Sequence, residues 1–534
     1  MAFSSLIRKL VHAINHNSLH TPWQSSWEAR TEKLSPSLDE NIRGIKETLS
    51  KSDDLKLQEY RFGQEGSFRC VLVYVDGLAD KKTITEGILT PLSSQKSQAL
   101  HPGKADQWLQ ILREGVLCIG GIQEAWDKNA IINACLAGDT ALLIDGSKGA
   151  LLIDTKGGQK RGVEEPQTEL VVRGPREGFT EDLITNTSLL RRRIKHPHLK
   201  MEQFTIGRKS RTGVCLVYVE KVAKEETVTL LKERLSKLDV DIILDSGYIE
   251  EYIEDYPFSL FPTMGFSEKP DVVAGKLLDG RVAIVVEGSP FVLTAPFLLI
   301  ESFQTAEDYY TRPLYANITR IVRLLAFIFS IFTVPVYIAF TTFHQELIPL
   351  TLLLRFAGAS EGTPFPGIIE ALIMVFSFEI LREAGLRMPR PVGQAISIVG
   401  ALIMGDAAVA AGLVGAPMVI AVAFTAVAGF IIPSLIDTIS LLRILLIILS
   451  AVLGGFGIAM GFLGILVHLA TLKSFGVDYF STVIPSTDVK DSFIRMPLWS
   501  TSGRSPRLSG EDRTNKKPFV PPNPPVKEQG KQES

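Results

Sequence analysis

At 534 residues the chain is long enough for two or three domains. Its 56 Lys and Arg nearly balance 58 Asp and Glu, so no overall charge argues for nucleic-acid binding. That average hides a split: residues 1–280 are charged, 320–472 mostly apolar, and 498–534 polar and proline-rich.

The lead-in, 1–59, opens with MAFSSLIRKLVHAINHNSLH. Arg8, Lys9 and His12 interrupt its apolar residues, which excludes a secretory signal core. A short amphipathic helix is the alternative to a plain exposed lead-in.

The next part repeats itself. LVYVDGLADKKTIT (Leu72–Thr85) matches LVYVEKVAKEETVT (Leu216–Thr229), and LAGDTALLIDGS (Leu136–Ser147) matches LDGRVAIVVEGS (Leu278–Ser289). The offsets agree, at about 144 and about 142 residues. Each copy opens on a short apolar β-branched strand, CVLVYV or CLVYV, continues through a polar helical segment and closes on a second strand. In copy 1 the turn DGSKG leads into ALLID, a hairpin signal. The expected fold class is therefore α/β for a soluble part of two related lobes, 60–170 and 205–300. The four cysteines, Cys70, Cys118, Cys135 and Cys215, stand in apolar contexts without metal spacing and read as reduced core residues.

Between the lobes, the connector 171–204 has a Gly174-Pro175 turn and then a helix over TEDLITNTSLLRRRI, with Thr180 as N-cap. Arg191, Arg192 and Arg193 complement the dipole at its end. The connector is read as an interlobe brace pairing with acids such as Glu250, Glu251, Glu254 and Asp255. Arg173, Arg176, Glu177, Arg191 and Arg193 are its candidate interlobe or subunit contacts. A nucleic-acid site is disfavoured, because no aromatics interleave the basic run. No phosphate-loop, metal-ligand or nucleophile–base pattern appears, so neither a metal nor another cofactor is expected.

Residues 318–475 read as an α-helical multi-pass membrane domain. Leu324–Phe343 carries no charge and is long enough to cross a core of about 30 Å. Further spans are expected over 392–412, 416–436 and 444–472, the last with a Gly457/Gly461 spacing suited to close helix packing. Arginines before the first span and Lys473, Lys490 and Arg495 after the last place both ends in the cytoplasm, which needs an even number of spans. Residues 345–381 do not fit that count. Two short apolar pieces joined by EGTPFPG resemble a re-entrant hairpin, tolerated only where protein or a water-filled cavity covers the backbone.

Ionisable groups in such a region are functional candidates, here Glu346, Glu361, Glu370, Glu379, Glu383 and Asp406, as an ion path or gate. On a helical wheel Glu379, Arg382 and Glu383 share a face, so Arg382 can partly pair both acids, while Glu370 has no local cation. The alternative places 367–383 at the membrane interface with its carboxylates in headgroup water. The tail, 476–534, should be disordered from about residue 498.

Long stretches now carry a resemblance. VRGPREGFTEDLITNTSLLRRRIKHP, SGYIEEYIEDYPFSLFPT, DGRVAIVVEGSPFVL, YIAFTTFHQELIPLTLLL, EGTPFPGIIEALIM and FEILREAGLRMPRPVGQAISIVGALIMG are similar to the A subunit of the spore germinant receptor family. The resemblance implies a two-lobed cytoplasmic domain and a multi-pass domain in the spore inner membrane. It also implies a transporter-like B subunit that binds the nutrient, a lipoprotein C subunit, contact with membrane lipid, and no nucleic acid. The A subunit would form a homo-oligomeric ring, with a pentamer as one candidate size, around an ion path opened by nutrient. The family pattern usually has Arg where this chain has Ser360, Glu where it has Val375 and Ala410, and Gln where it has Asp406. Asp406 and Ala410 share a helix face, so the acid missing at 410 can be restored at 406. A secondary transporter with half-helix sites is the alternative function; a membrane-tethered enzyme would need a catalytic constellation that the lobes do not display.

Overall fold

The computed structural model describes residues 32–63, 68–93, 105–117, 119–157, 166, 169, 171–387, 404–480, 494–497 and 509–510. The lead-in before residue 32, Cys118, most of the expected span 392–412 and most of the tail lie outside the described residues.

The repeat is larger than its sequence matches. Copy 1 runs α1 (Leu38–Thr48), β1 (Leu55–Phe62), β2 (Phe68–Val75), helical stretches α2 (81–93) and α3 (105–116), β3 (Ile122–Ala125), α4 (Lys128–Ala137), β4 (Thr140–Ile144) and β5 (Ala150–Ile153). Copy 2 follows the same order: α5 (Leu183–Arg193), β6 (Leu199–Ile206), β7 (Thr212–Val219), α6 (Glu225–Lys237), α7 (Ser246–Ile253), β8 (Gly265–Ser267), α8 (Pro270–Leu278), β9 (Val282–Val286) and β10 (Val292–Ala295). The sheets have matching orders, β1-β2-β4-β5-β3 and β6-β7-β9-β10-β8. Strands alternate with helices as in an α/β protein, yet all strand pairings in the two sheets are antiparallel.

The central strands read as unbroken apolar runs because both of their faces are covered. In β2, Cys70, Leu72 and Tyr74 face α2 and α3, while Val71, Val73 and Val75 face α1 and α4. In β7, Val214, Leu216 and Tyr218 face α6 and α7, while Cys215, Val217 and Val219 face α5 and α8. Each such buried aliphatic side chain contributes about 1.5–3 kcal/mol. Burial pushes the thiols of Cys70 and Cys135 up to about 12 and raises that of Cys215 further, as suits inert core residues.

The helix of the connector is thus the first helix of the second copy, packed on its sheet as α1 packs on the first. Its N-cap is Asp182, which accepts the Thr185 N–H at 2.7 Å, rather than Thr180. Residues 51–53 extend the second sheet: Met201 donates to the Lys51 carbonyl at 3.0 Å and Asp53 donates to the Met201 carbonyl at 2.9 Å. A segment of lobe 1 thereby covers β6, the edge strand of lobe 2.

Between residues 313 and 471 the described residues are mainly helical: α9 (Pro313–Thr342), α10 (Leu350–Ser360), α11 (Gly367–Arg387), helical residues 404–410, α12 (Ala416–Gly429) and α13 (Ile436–Thr471). Among the described residues two stretches, Pro313–Thr342 and Pro433–Thr471, are long and apolar enough to cross a bilayer by length and composition. The second is folded in half. Gly454 has φ 60° and ψ −140°. A Cβ on Gly457 would collide with the Leu449 carbonyl oxygen and one on Gly461 would lie 2.5 Å from Leu446 Cδ2, pairs that an unbroken helix would hold far apart. At the other end Ser259 meets His468 at 3.1 Å, while the adjacent Leu260 carbonyl accepts the Thr438 hydroxyl at 2.5 Å. The expected single span 444–472 is therefore replaced by a helical hairpin with arms of about 18 residues, each near 26 Å long. Gly457 and Gly461 pack one arm against the other.

Both ends of this helical region can be located. Arg320 and Arg323 hold Asp308 at 3.0 and 2.9 Å at the start of α9, beside lobe 2. The end of α9 meets the hairpin tip, where Gly455 donates to His344 Nε2 at 3.2 Å. After the hairpin the chain returns to lobe 2. Ser474 Oγ donates to the Thr263 carbonyl at 2.7 Å and accepts the Phe297 N–H at 2.9 Å, and Tyr479 is fully buried.

Candidate functional site

The carboxylates singled out in the sequence separate into buried and exposed groups. Glu370 is 5% exposed, one turn into α11, beside a core of Val334, Ile338, Ala371, Val375, Val414 and Met418. Its Oε2 accepts the Gly415 N–H at 3.1 Å. Gly415 is the N-cap of α12, and Pro417 opens that helix without an N–H of its own. The helix N-terminus thus supplies the positive end that no side chain provides, an interaction reaching about 2 kcal/mol in partly buried geometries. The chain breaks around this point twice: a Cβ on Gly412 would lie 3.2 Å from the Gly362 carbonyl and one on Gly415 3.4 Å from that of Ala359. The turn before α11 and the turn before α12 therefore pack against each other.

Glu379 lies nearer lobe 2. It pairs with Arg382 at 2.7 Å and with Arg443 of the first hairpin arm at 2.7 Å, and accepts the Ser440 hydroxyl at 2.9 Å. Glu383 does not share Arg382; it takes Arg387, with Nε at 2.8 Å. Glu346 is exposed, 3.7 Å from His344 Nδ1. Glu361 is the exposed C-cap of α10, and Asp406 and Ala410 are both exposed. Val375, where the family pattern has an acid, is 2% exposed among apolar side chains. The six acids thus do not converge: Glu370 and Glu379 lie within the bundle, while Glu346, Glu361, Glu383 and Asp406 are on its surface.

In the connector, Arg191 is 1% exposed and bonds both Asp54 oxygens, Nε at 3.0 Å and Nη2 at 2.9 Å, while Nη1 donates to the Leu199 carbonyl at 2.9 Å. Arg193 pairs with Glu177 at 2.8 Å, and Arg173 and Arg176 are exposed. Two of the acids expected to meet this run are engaged elsewhere. Asp255 pairs with Arg234 at 2.5 Å, and Glu254 accepts the Thr263 N–H at 2.7 Å. Burial, then Glu254 and Asp245, raise the Glu250 carboxyl to about 7. Arg443, Ser440, Gly415 and Asp54 escaped the sequence reading. Arg443 was visible as a charge bordering an apolar run in SLLRILL, but its partner was not.

Fold and site together define a protein of two duplicated α/β lobes seated on an apolar helical region with carboxylates inside it. The chain belongs to the family described as Bacillus/Clostridium GerA spore germination protein, whose profile matches residues 43–507. It is 44% identical over 498 residues to Spore germination protein KA of Bacillus subtilis (strain 168), covering 92% of this chain and 90% of that one. It is 40% identical over 475 residues to Uncharacterized membrane protein YfkQ of the same organism, covering 88% and 91%. Among solved structures, the N-terminal domain of the A subunit of the Bacillus megaterium spore germinant receptor GerK3 is 33% identical, with a TM-score of 0.40, covering 51% of this chain and 98% of that one.

Proposed function

We infer that this chain is the A subunit of a nutrient germinant receptor, embedded in the spore inner membrane with its lobes on the cytoplasmic side. In this reading it assembles as a homo-oligomer with a transporter-like B subunit and a lipoprotein C subunit, and carries no catalytic activity. Its helices line an ion path that opens when nutrient binds. Family membership supports the receptor role. The observation that carries the path is Glu370, a carboxylate buried among apolar helices at two broken turns, since ionisable groups within apolar helical regions mark polar routes. Even crossing numbers fit as well, because the chain enters the helical region from lobe 2 and returns to it.

The test is cation flux through liposomes containing this chain with its partner subunits, triggered by nutrient. Flux that appears with nutrient and falls in Glu370→Gln supports the reading. A complex that binds nutrient without conducting makes the chain a transducer. The paired turns at 361–366 and 411–415 also suit the half-helix sites of a secondary transporter. Solute uptake by this chain alone would favour that alternative.

A further inference from the structure

The charges around Glu379 do not balance. Among the described residues the cluster holds two guanidinium groups, Arg382 and Arg443, and one carboxylate. Glu383 is occupied by Arg387, and no ion pair joins the exposed Asp437 to either arginine. One positive charge is in excess, and Arg443 is only 3% exposed. An arginine cannot shed its proton to escape this position as a buried lysine can.

The donors are not used up. Among the described residues, the Nε–H groups of Arg382 and Arg443 have no hydrogen-bond partner. Arg443 Nη1 reaches Thr425 Oγ1 at a long 3.4 Å, and that hydroxyl gives its own proton to the Val422 carbonyl at 2.7 Å. Arg382 Nη1 donates to Ser440 Oγ at 3.2 Å. Between them is a cavity of about 10 Å³, lined by Arg382, Thr425, Ser440 and Arg443 with Phe378 and Phe430. That is room for about one water-sized sphere, so a halide, wider than water, enters as the partly exposed Arg382 side chain moves outward. Water would satisfy the donors but leave the charge uncompensated, and a buried unpaired charge is costly.

We propose that the cavity between Arg382 and Arg443 is a binding site for one compact anion, a halide ion or a single phosphate oxygen. Arg443 supplies the buried charge, and Arg382, at 19% side-chain exposure, forms the mouth through which the rest of a phosphate group would project. The two sources are dissolved halide and the phosphate of a phospholipid; the lipid source rests on the membrane reading above. Either would join α11 to α12 and to the first hairpin arm, because the lining residues come from all three.

The experiment uses the full chain purified in zwitterionic detergent in gluconate buffer. Binding of radioactive chloride is measured by equilibrium dialysis, and retained phospholipid by phosphorus assay. Thermal unfolding is compared in gluconate, chloride and bromide at constant ionic strength, and with added phosphatidylglycerol or phosphatidylcholine. Near-stoichiometric binding of chloride or phospholipid, with a higher unfolding midpoint, is expected. Arg443→Gln leaves the Glu379–Arg382 pair balanced without a ligand, so binding and the midpoint shift should both vanish. If that variant does not fold, Arg382→Gln provides the same reading from the mouth. A wild-type chain that binds neither anion, or a shift that survives in the folded variant, overturns the proposal. Dialysis does not depend on conduction, so failure here is distinct from failure of the channel reading.

Discussion

Gly454→Ala gives effects of opposite sign for a hairpin and for a continuous helix. In the hairpin, Gly454 occupies φ 60° and ψ −140°, a conformation residues with a Cβ rarely adopt, at a cost of about 1–3 kcal/mol. The added Cβ would also lie 2.8 Å from Phe343 Cγ and 2.9 Å from its Cβ. Phe343 is the C-cap of α9, so its backbone cannot retreat freely, and overpacking adds about 1–3 kcal/mol. The expected total is a destabilisation of about 2–6 kcal/mol. In an unbroken helix the same change replaces glycine with the best helix former and stabilises by about 1 kcal/mol. Unfolding of the full chain in detergent, followed by near-ultraviolet circular dichroism, measures the sign. A cysteine pair, Leu446→Cys with Gly461→Cys, provides a geometric check. Those positions touch in the hairpin, whereas in a straight helix they would be about 22 Å apart, beyond disulfide reach. A Gly454→Ala protein at least as stable as its parent, with no 446–461 cross-link by mass spectrometry, refutes the hairpin.

Asp54→Ala strands the Arg191 guanidinium in the lobe interface and should cost about 3–5 kcal/mol in thermal or urea unfolding. Pairing Asp54→Leu with Arg191→Met should recover most of that loss; a neutral Asp54→Ala would remove the ion pair from the account of how the lobes are held. Glu250 links stability to pH. Its folded carboxyl is raised to about 7 against an ordinary 4.5, so the folded state keeps a proton that the unfolded chain has lost. Stability should therefore fall as pH rises between these values and level off above them, and Glu250→Gln should flatten the slope. At Glu370, glutamine retains an acceptor for the Gly415 N–H and should fold normally. Alanine leaves that donor unpaired and should cost about 1–3 kcal/mol by the same unfolding assay.

The duplication was legible because buried strands advertise themselves. FRCVLVYV and TGVCLVYV are covered on both faces, so nearly every residue must be apolar. The strands beside them carried no such signal. LKLQEYRF and LKMEQFTI leave several residues partly in solvent, and β3 and β8 are four and three residues long. The polar partnerships were hidden for a different reason. Arg191 and Asp54 are separated by 137 positions, and Arg443 and Glu379 by 64. Nothing local distinguishes these from the many other pairings open to an arginine, and Glu254 and Asp255, two acids the connector could have met, have nearer partners. Glu370 is the sharper case. Lacking a cation in its own segment, it reads as unsatisfied, whereas its partner is a backbone N–H at the start of a helix, and no residue type encodes that. The Gly457/Gly461 spacing implies close approach, and close approach is what these glycines make. Spacing alone does not say whether the approaching backbone belongs to another helix or to the same one folded back. That distinction rests on a single pair of dihedral angles at Gly454, and it decides whether the last apolar segment crosses the bundle once or twice.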